Sequence, residues 1–147
     1  MNIIVLSPHA DDVEIAMGGT IAKYVDEGHN ITIITAILPK ENLEGNTDEF
    51  MSKNRRKEQE KSANILGANL EILGLDPYDF AFNRKYIKLF DQKIKSYKPD
   101  MIFSCWEHDT LQDHKNLAKI LFTVTRKNNI SLNMYETMLP GGINTYS

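Results

Sequence analysis

The sequence predicts an α/β fold, a mainly parallel sheet covered by helices on both faces, and two observations predict it. Short apolar runs alternate along the chain with longer segments of helical period, the pattern of a parallel sheet with crossover helices. The first run, residues 2–6, is apolar on both faces, as a central strand between two helical layers must be. At 147 residues the chain has the length of one domain able to bury a core.

The elements follow in order. After the first strand and Ser7-Pro8, Val13, Met17, Ile21, Tyr24 and Val25 recur near helical spacing over residues 12–27, and Gly28 stands where a left-handed cap ends a helix. Residues 31–38 form a second strand rich in β-branched side chains, followed by a polar loop over residues 39–48. The charged segment 49–66 carries Ala63, Ile65 and Leu66 near its end and Gly67 after it, a surface helix leading to a third strand at 69–73. Asp76-Pro77-Tyr78-Asp79 is turn chemistry. A helix over 86–97 places Ile87, Phe90 and Ile94 on one face; a strand at 101–106, a helix at about 113–127 and a strand at 131–135 complete the sheet. A loop begins at Pro140-Gly141-Gly142.

Composition narrows the function classes. Hydrophobic residues make up 41% and charged residues 25%, and the formal net charge of −3 supplies no broad electropositive field for nucleic acid. A small, neutral or modestly charged substrate fits better. No apolar run approaches the length of a bilayer span, and no basic region precedes an apolar stretch at the N-terminus, so a cytoplasmic protein without a membrane span is expected. The single cysteine, Cys105, makes no intramolecular disulfide and reads as a small core residue, in keeping with a reducing compartment.

In an open parallel sheet, ligands bind outside the carboxyl ends of the strands. Ser7-Pro8-His9-Ala10-Asp11-Asp12 follows strand one, and His108-Asp109-Thr110-Leu111-Gln112-Asp113-His114 follows strand four, on the same sheet edge. Two histidines and a carboxylate meeting there would give three zinc ligands and leave a fourth position for water, and His9, Asp12 and His114 fit that requirement. Adjacent residues in a turn point in different directions, so Asp12 is assigned to the metal and Asp11 to accepting a proton from the water.

The string PHADDVEIAMGGT followed by HDTLQDH resembles the LmbE-like, or PIG-L, family of zinc-dependent deacetylases. The resemblance implies a Rossmann-like three-layer sandwich, a Zn2+ cofactor, and removal of acetyl groups from N-acetylglucosamine conjugates, small amino-sugar substrates. Carried over by position, it implies ligands His9, Asp12 and His114, Asp11 as base, and Asp113 orienting a ligand histidine. Arg55-x-x-Glu58 leading to Ile65-Leu66-Gly67 resembles the family's helix with a substrate-contacting arginine, which makes Arg55 the candidate sugar or oxyanion contact. The similar stretches run from Asn2 to about Glu136.

Three departures bear on mechanism. Ala10 replaces the family's proline and Val13 its glutamate, with Glu14 next to it; neither position is a ligand. Leu111 stands where the family often carries a histidine that steadies the reaction's oxyanion or protonates the leaving amine, and leucine can donate neither a proton nor a hydrogen bond. Either His108 takes over, or the proton returns from Asp11, or turnover is weak. Finally, family members continue with further strands and a helix, so the domain is expected to be C-terminally short, with a sheet edge open to pairing in a homo-oligomer.

Plainer readings compete. His9 alone would be a strand-end histidine satisfied by hydrogen bonds, Asp11-Asp12 alone a helix cap, and Asp113-His114 alone a helix start. The two motifs on one edge outweigh these readings. Gly18-Gly19-Thr20 falls inside the first helix, so the dinucleotide fingerprint is absent. Trp106 is either core or a sugar-stacking platform. The competing function classes are a catalytically impaired metal and sugar binder of the same fold, and a flavodoxin-type nucleotide-binding signalling domain that would hold no metal.

Overall fold

The computed structural model describes residues 1–38 and 49–137. The expected loops at 39–48 and from Pro140 onward lie outside the described residues. Nine elements follow in order: β1 (Asn2–Ser7), α1 (Asp12–Asp26), β2 (Asn30–Ile37), α2 (Glu49–Leu66), β3 (Asn69–Leu75), α3 (Arg84–Tyr97), β4 (Met101–Cys105), α4 (Gln112–Asn128) and β5 (Ser131–Tyr135). Among the described residues the sheet has five strands in the order β3-β2-β1-β4-β5, and every pairing between them is parallel.

That order is the feature that makes a site. The chain winds outward from β1 through β2 to β3, then returns to lay β4 on the other side of β1. Right-handed crossovers therefore put α1 and α2 on one face and α3 and α4 on the other, and α1 indeed packs beside α2, α3 beside α4. Between β1 and β4 the winding direction reverses, and a crevice opens beyond their carboxyl ends.

The sheet's middle is apolar because both of its faces are covered. Ile3, Ile4, Leu6, Ile33, Ile34, Ile37 and Ile102 are fully buried. From α1 come Val13, Met17 and Ile21, and from α3 come Tyr86, Phe90 and Ile94, each set spaced to lie along one helical stripe. The first helix ends as expected at Gly28, whose φ of 82° is the left-handed conformation open to glycine at little cost. In α3 the chain starts two residues earlier than periodicity suggests, because the Asn83 side chain accepts a hydrogen bond from the Tyr86 amide at 3.1 Å and caps the first turn. The sequence reading began that helix at its first apolar residue and passed over the capping asparagine.

Two hydrogen bonds tie the strand ends beneath the crevice. The Ile37 amide donates to the Pro8 carbonyl at 2.9 Å, fixing the turn after β1 against β2. The Tyr135 hydroxyl reaches past β4 and donates to the Leu6 carbonyl at 2.7 Å, so the far strand is tied to the central one. Among the described residues, no helix is long and apolar enough to cross a membrane.

Phe90 is fully buried and meets Phe80 edge-on at a ring-centroid distance of 6.4 Å. Phe90→Ala is expected to cost about 3–5 kcal/mol of stability, read as a lower denaturant midpoint in equilibrium unfolding.

Candidate metal centre

The turn after β1 is shaped by its own polar groups. Ser7 donates its hydroxyl to the His9 carbonyl. Asp11 then takes φ 88°, a left-handed conformation costing roughly 1 kcal/mol for a residue with a side chain, though aspartate tolerates it better than most. This kink starts α1 at Asp12 and sends neighbouring carboxylates different ways. The Asp12 side chain folds back, and its Oδ2 accepts the His9 backbone N–H at 2.9 Å.

That same oxygen lies 3.3 Å from Nδ1 of His9 and 3.3 Å from Nε2 of His114, which comes from the first turn of α4. The three side chains offer one ligand atom each within 4.8 Å of one another. Tetrahedral zinc with bonds of about 2.0–2.1 Å has ligand–ligand edges of roughly 3.3 Å. His114 is fully buried, and its Nε2 has no hydrogen-bond partner among the described residues. A buried ring nitrogen without a hydrogen bond is costly, and a cation is the group whose chemistry suits two imidazoles and a carboxylate.

Charge is concentrated here. Burial alone would pull the His9 imidazole down, but hydrogen bonds to Asp113 and Asp12, with their charges, raise it from 6.5 to about 9. Burial would raise Asp12, yet the His114 and His9 contacts hold it well below the usual carboxylate range. His114 is likewise pushed up, Asp12 and Asp109 outweighing the opposing effect of burial. Asp11 moves the other way from Asp12: burial, then the Asp12 charge, raises it, with Arg55 among the groups opposing the rise.

The expected triad of His9, Asp12 and His114 is thus brought together. Asp113 is also at the centre, with its Oδ2 2.9 Å from Nε2 of His9, so it buttresses that ring rather than its sequence neighbour His114. Asp11 and Arg55 both line a cleft of ≈ 410 Å³ beside the triad, together with Ala10, Glu14 and Gln59. His108 stands apart: its side chain is 67% exposed, 3.5 Å from the Glu107 carboxylate, with its ring 5.1 Å from that of Trp106. Leu111 is 42% exposed and serves as the N-cap position of α4 without a capping side chain.

Sequence reasoning passed over three polar residues. Asp109 is buried and pairs with Nδ1 of His114 at 2.8 Å, and Thr137 donates its hydroxyl to the same Asp109 oxygen. Only the position of Asp109 inside the second motif could have flagged it, and nothing flagged Thr137. Glu14 faces the cleft, and burial above all raises its pKa, against nearby backbone amides and the Gln59 side chain that lower it.

The sequence profile described as GlcNAc-PI de-N-acetylase, PIG-L, matches residues 4–125. The diacetylchitobiose deacetylase of Thermococcus kodakarensis is 31% identical over 106 residues, 68% of this chain and 39% of that protein. The matched stretch therefore spans well under half the length of this relative. A conserved Thermus thermophilus protein superposes with a TM-score of 0.80 at 21% identity, covering 97% of this chain and 69% of that one. The N,N'-diacetylchitobiose deacetylase of Pyrococcus horikoshii does so with a TM-score of 0.79 at 21% identity, covering 95% and 61%. These two superpositions share the fold.

The raised His9 pKa gives the metal-free chain a pH dependence. A folded pKa of about 9 against an ordinary 6.5 means the stabilisation is complete below pH 6.5 and lost as pH rises through 9. Thermal melts of the chelator-treated protein should therefore drop between those values, by at most about 3 kcal/mol, and a divalent cation should flatten the dependence by replacing the proton.

Proposed function

The chain belongs to the GlcNAc-PI de-N-acetylase (PIG-L) family, and on that premise we propose that it is a zinc-dependent hydrolase removing the N-acetyl group from an N-acetylglucosamine-type sugar conjugate. The observation that carries this reading is the convergence of His9, Asp12 and the buried His114, with Oδ2 of Asp12 3.3 Å from a ring nitrogen of each histidine, beside a cleft. The family match supports the reaction class, and the deacetylase relatives support an amino-sugar substrate.

His9, Asp12 and His114 would hold the zinc, which supplies Lewis-acid activation of water and of the acetyl carbonyl when bound. Asp11 does the proton work. Its carboxyl lies in the cleft, and burial and the Asp12 charge raise its pKa, making it a stronger base than an ordinary aspartate. Water oxygen adds to the acetyl carbon as Asp11 accepts its proton; the carbon–nitrogen bond then breaks, and the same proton passes to the departing amine, leaving acetic acid, which ionises to acetate in solvent. Arg55 lines the same cleft and offers a fixed positive charge to the sugar or to the developing oxyanion.

With leucine at position 111, this route asks Asp11 to carry both proton transfers. The exposed leucine side chain also favours a second reading, a member of the fold that binds metal and sugar with little turnover. The two separate on a single assay of released amine with zinc and N-acetylglucosamine conjugates. Turnover that falls about 10²- to 10⁴-fold in Asp11→Asn, while zinc binding persists, supports the hydrolase. Zinc binding with no amine release above the uncatalysed rate supports the binder. Arg55→Ala is expected to raise KM with a smaller effect on kcat, measured in the same assay.

A further inference from the structure

Asp109 is 8% exposed, and each of its carboxylate oxygens is committed. Oδ1 accepts the Leu111 backbone N–H at 2.9 Å, which fixes the carboxylate within the loop ahead of α4. Oδ2 faces Nδ1 of His114 at 2.8 Å and also accepts the Thr137 hydroxyl at 2.8 Å. That hydroxyl is itself 3.4 Å from the same ring nitrogen. Thr137 comes from the segment after β5, so two strand ends converge behind one imidazole.

We infer that Asp109 and Thr137 are positioning residues that hold the His114 imidazole with its proton on Nδ1 and its Nε2 lone pair turned toward the metal position. The inference rests on the metal reading of the site. An ionised carboxylate can only accept, so the ring nitrogen facing it must carry the hydrogen. The neutral ring then has its lone pair on Nε2, the atom that lies 3.3 Å from Asp12 and lacks a hydrogen bond. Thr137 braces the arrangement by taking up the remaining freedom of the Asp109 oxygen. His9 has a comparable support in Asp113, but that carboxylate is 22% exposed against 6% for the Asp109 side chain, so the deeper pair exerts the firmer hold.

Asp109→Asn tests this with little change in shape. The asparagine oxygen can keep the Leu111 contact while its NH₂ faces Nδ1, which turns that nitrogen into an acceptor and moves the ring proton to Nε2. There Asp12 is placed to accept it, so the variant has a satisfied alternative that opposes metal binding. The expected result is a zinc affinity lower by about 10- to 100-fold in competition with a chromophoric chelator. Nitrogen-15 spectra of the metal-free proteins, at a pH where the ring is neutral, should move His114 from the Nδ1–H to the Nε2–H form.

Thr137→Val should weaken zinc by about 5- to 10-fold, and Thr137→Ser, which keeps the hydroxyl, should restore the affinity. This pair carries the test if the asparagine variant does not fold. Unchanged zinc affinity with an unchanged tautomer in Asp109→Asn, or valine and serine at position 137 both behaving as the wild type, would overturn the inference alone. A wild-type chain that binds no zinc would instead remove the hydrolase reading, and this inference with it.

Discussion

One carboxylate oxygen organises the centre. Oδ2 of Asp12 accepts the backbone N–H of His9 and stands 3.3 Å from an imidazole nitrogen on each side. The contacts of that one atom hold together the turn after β1, the first residue of α1 and the first turn of α4. Its negative charge keeps both imidazoles disposed to carry positive charge, and their proximity keeps it ionised. Take that oxygen away and three elements lose their common partner, while two rings face each other across an uncompensated gap.

The sheet order makes such a meeting feasible. Because β4 pairs directly with β1 although most of the chain lies between them, residues more than a hundred positions apart emerge side by side. The strands themselves contribute apolar side chains and rigidity, and the chemistry sits in the turns that leave them. The left-handed kink at Asp11 separates two carboxylates that the sequence writes as a pair.

Much of this was legible in the sequence, and the reasons differ by level. The strands were readable because a two-sided cover forces near-continuous apolar runs, and α1 because Val13, Met17 and Ile21 keep helical register up to Gly28. The three convergent residues were readable because both motifs follow strands that share an edge. The partner of Asp113 was not readable: which ring it reaches depends on how α4 leaves β4, and the structure gives it to His9. Thr137 was hidden for the same reason, since a threonine past the last strand has no periodicity and no motif. His108, adjacent in sequence to the right residues, faces Trp106 and solvent instead, because position along a turn does not determine direction.

The hydroxyl of Tyr135 on the Leu6 carbonyl joins residues 129 positions apart, with His9, Asp12 and His114 drawn from both ends of that span. A chain growing from the ribosome makes His9 and Asp12 early and must hold them without their counterparts until α4 and β5 have emerged. An intact pair of imidazoles around one carboxylate therefore reports that nearly the whole sheet has already been assembled.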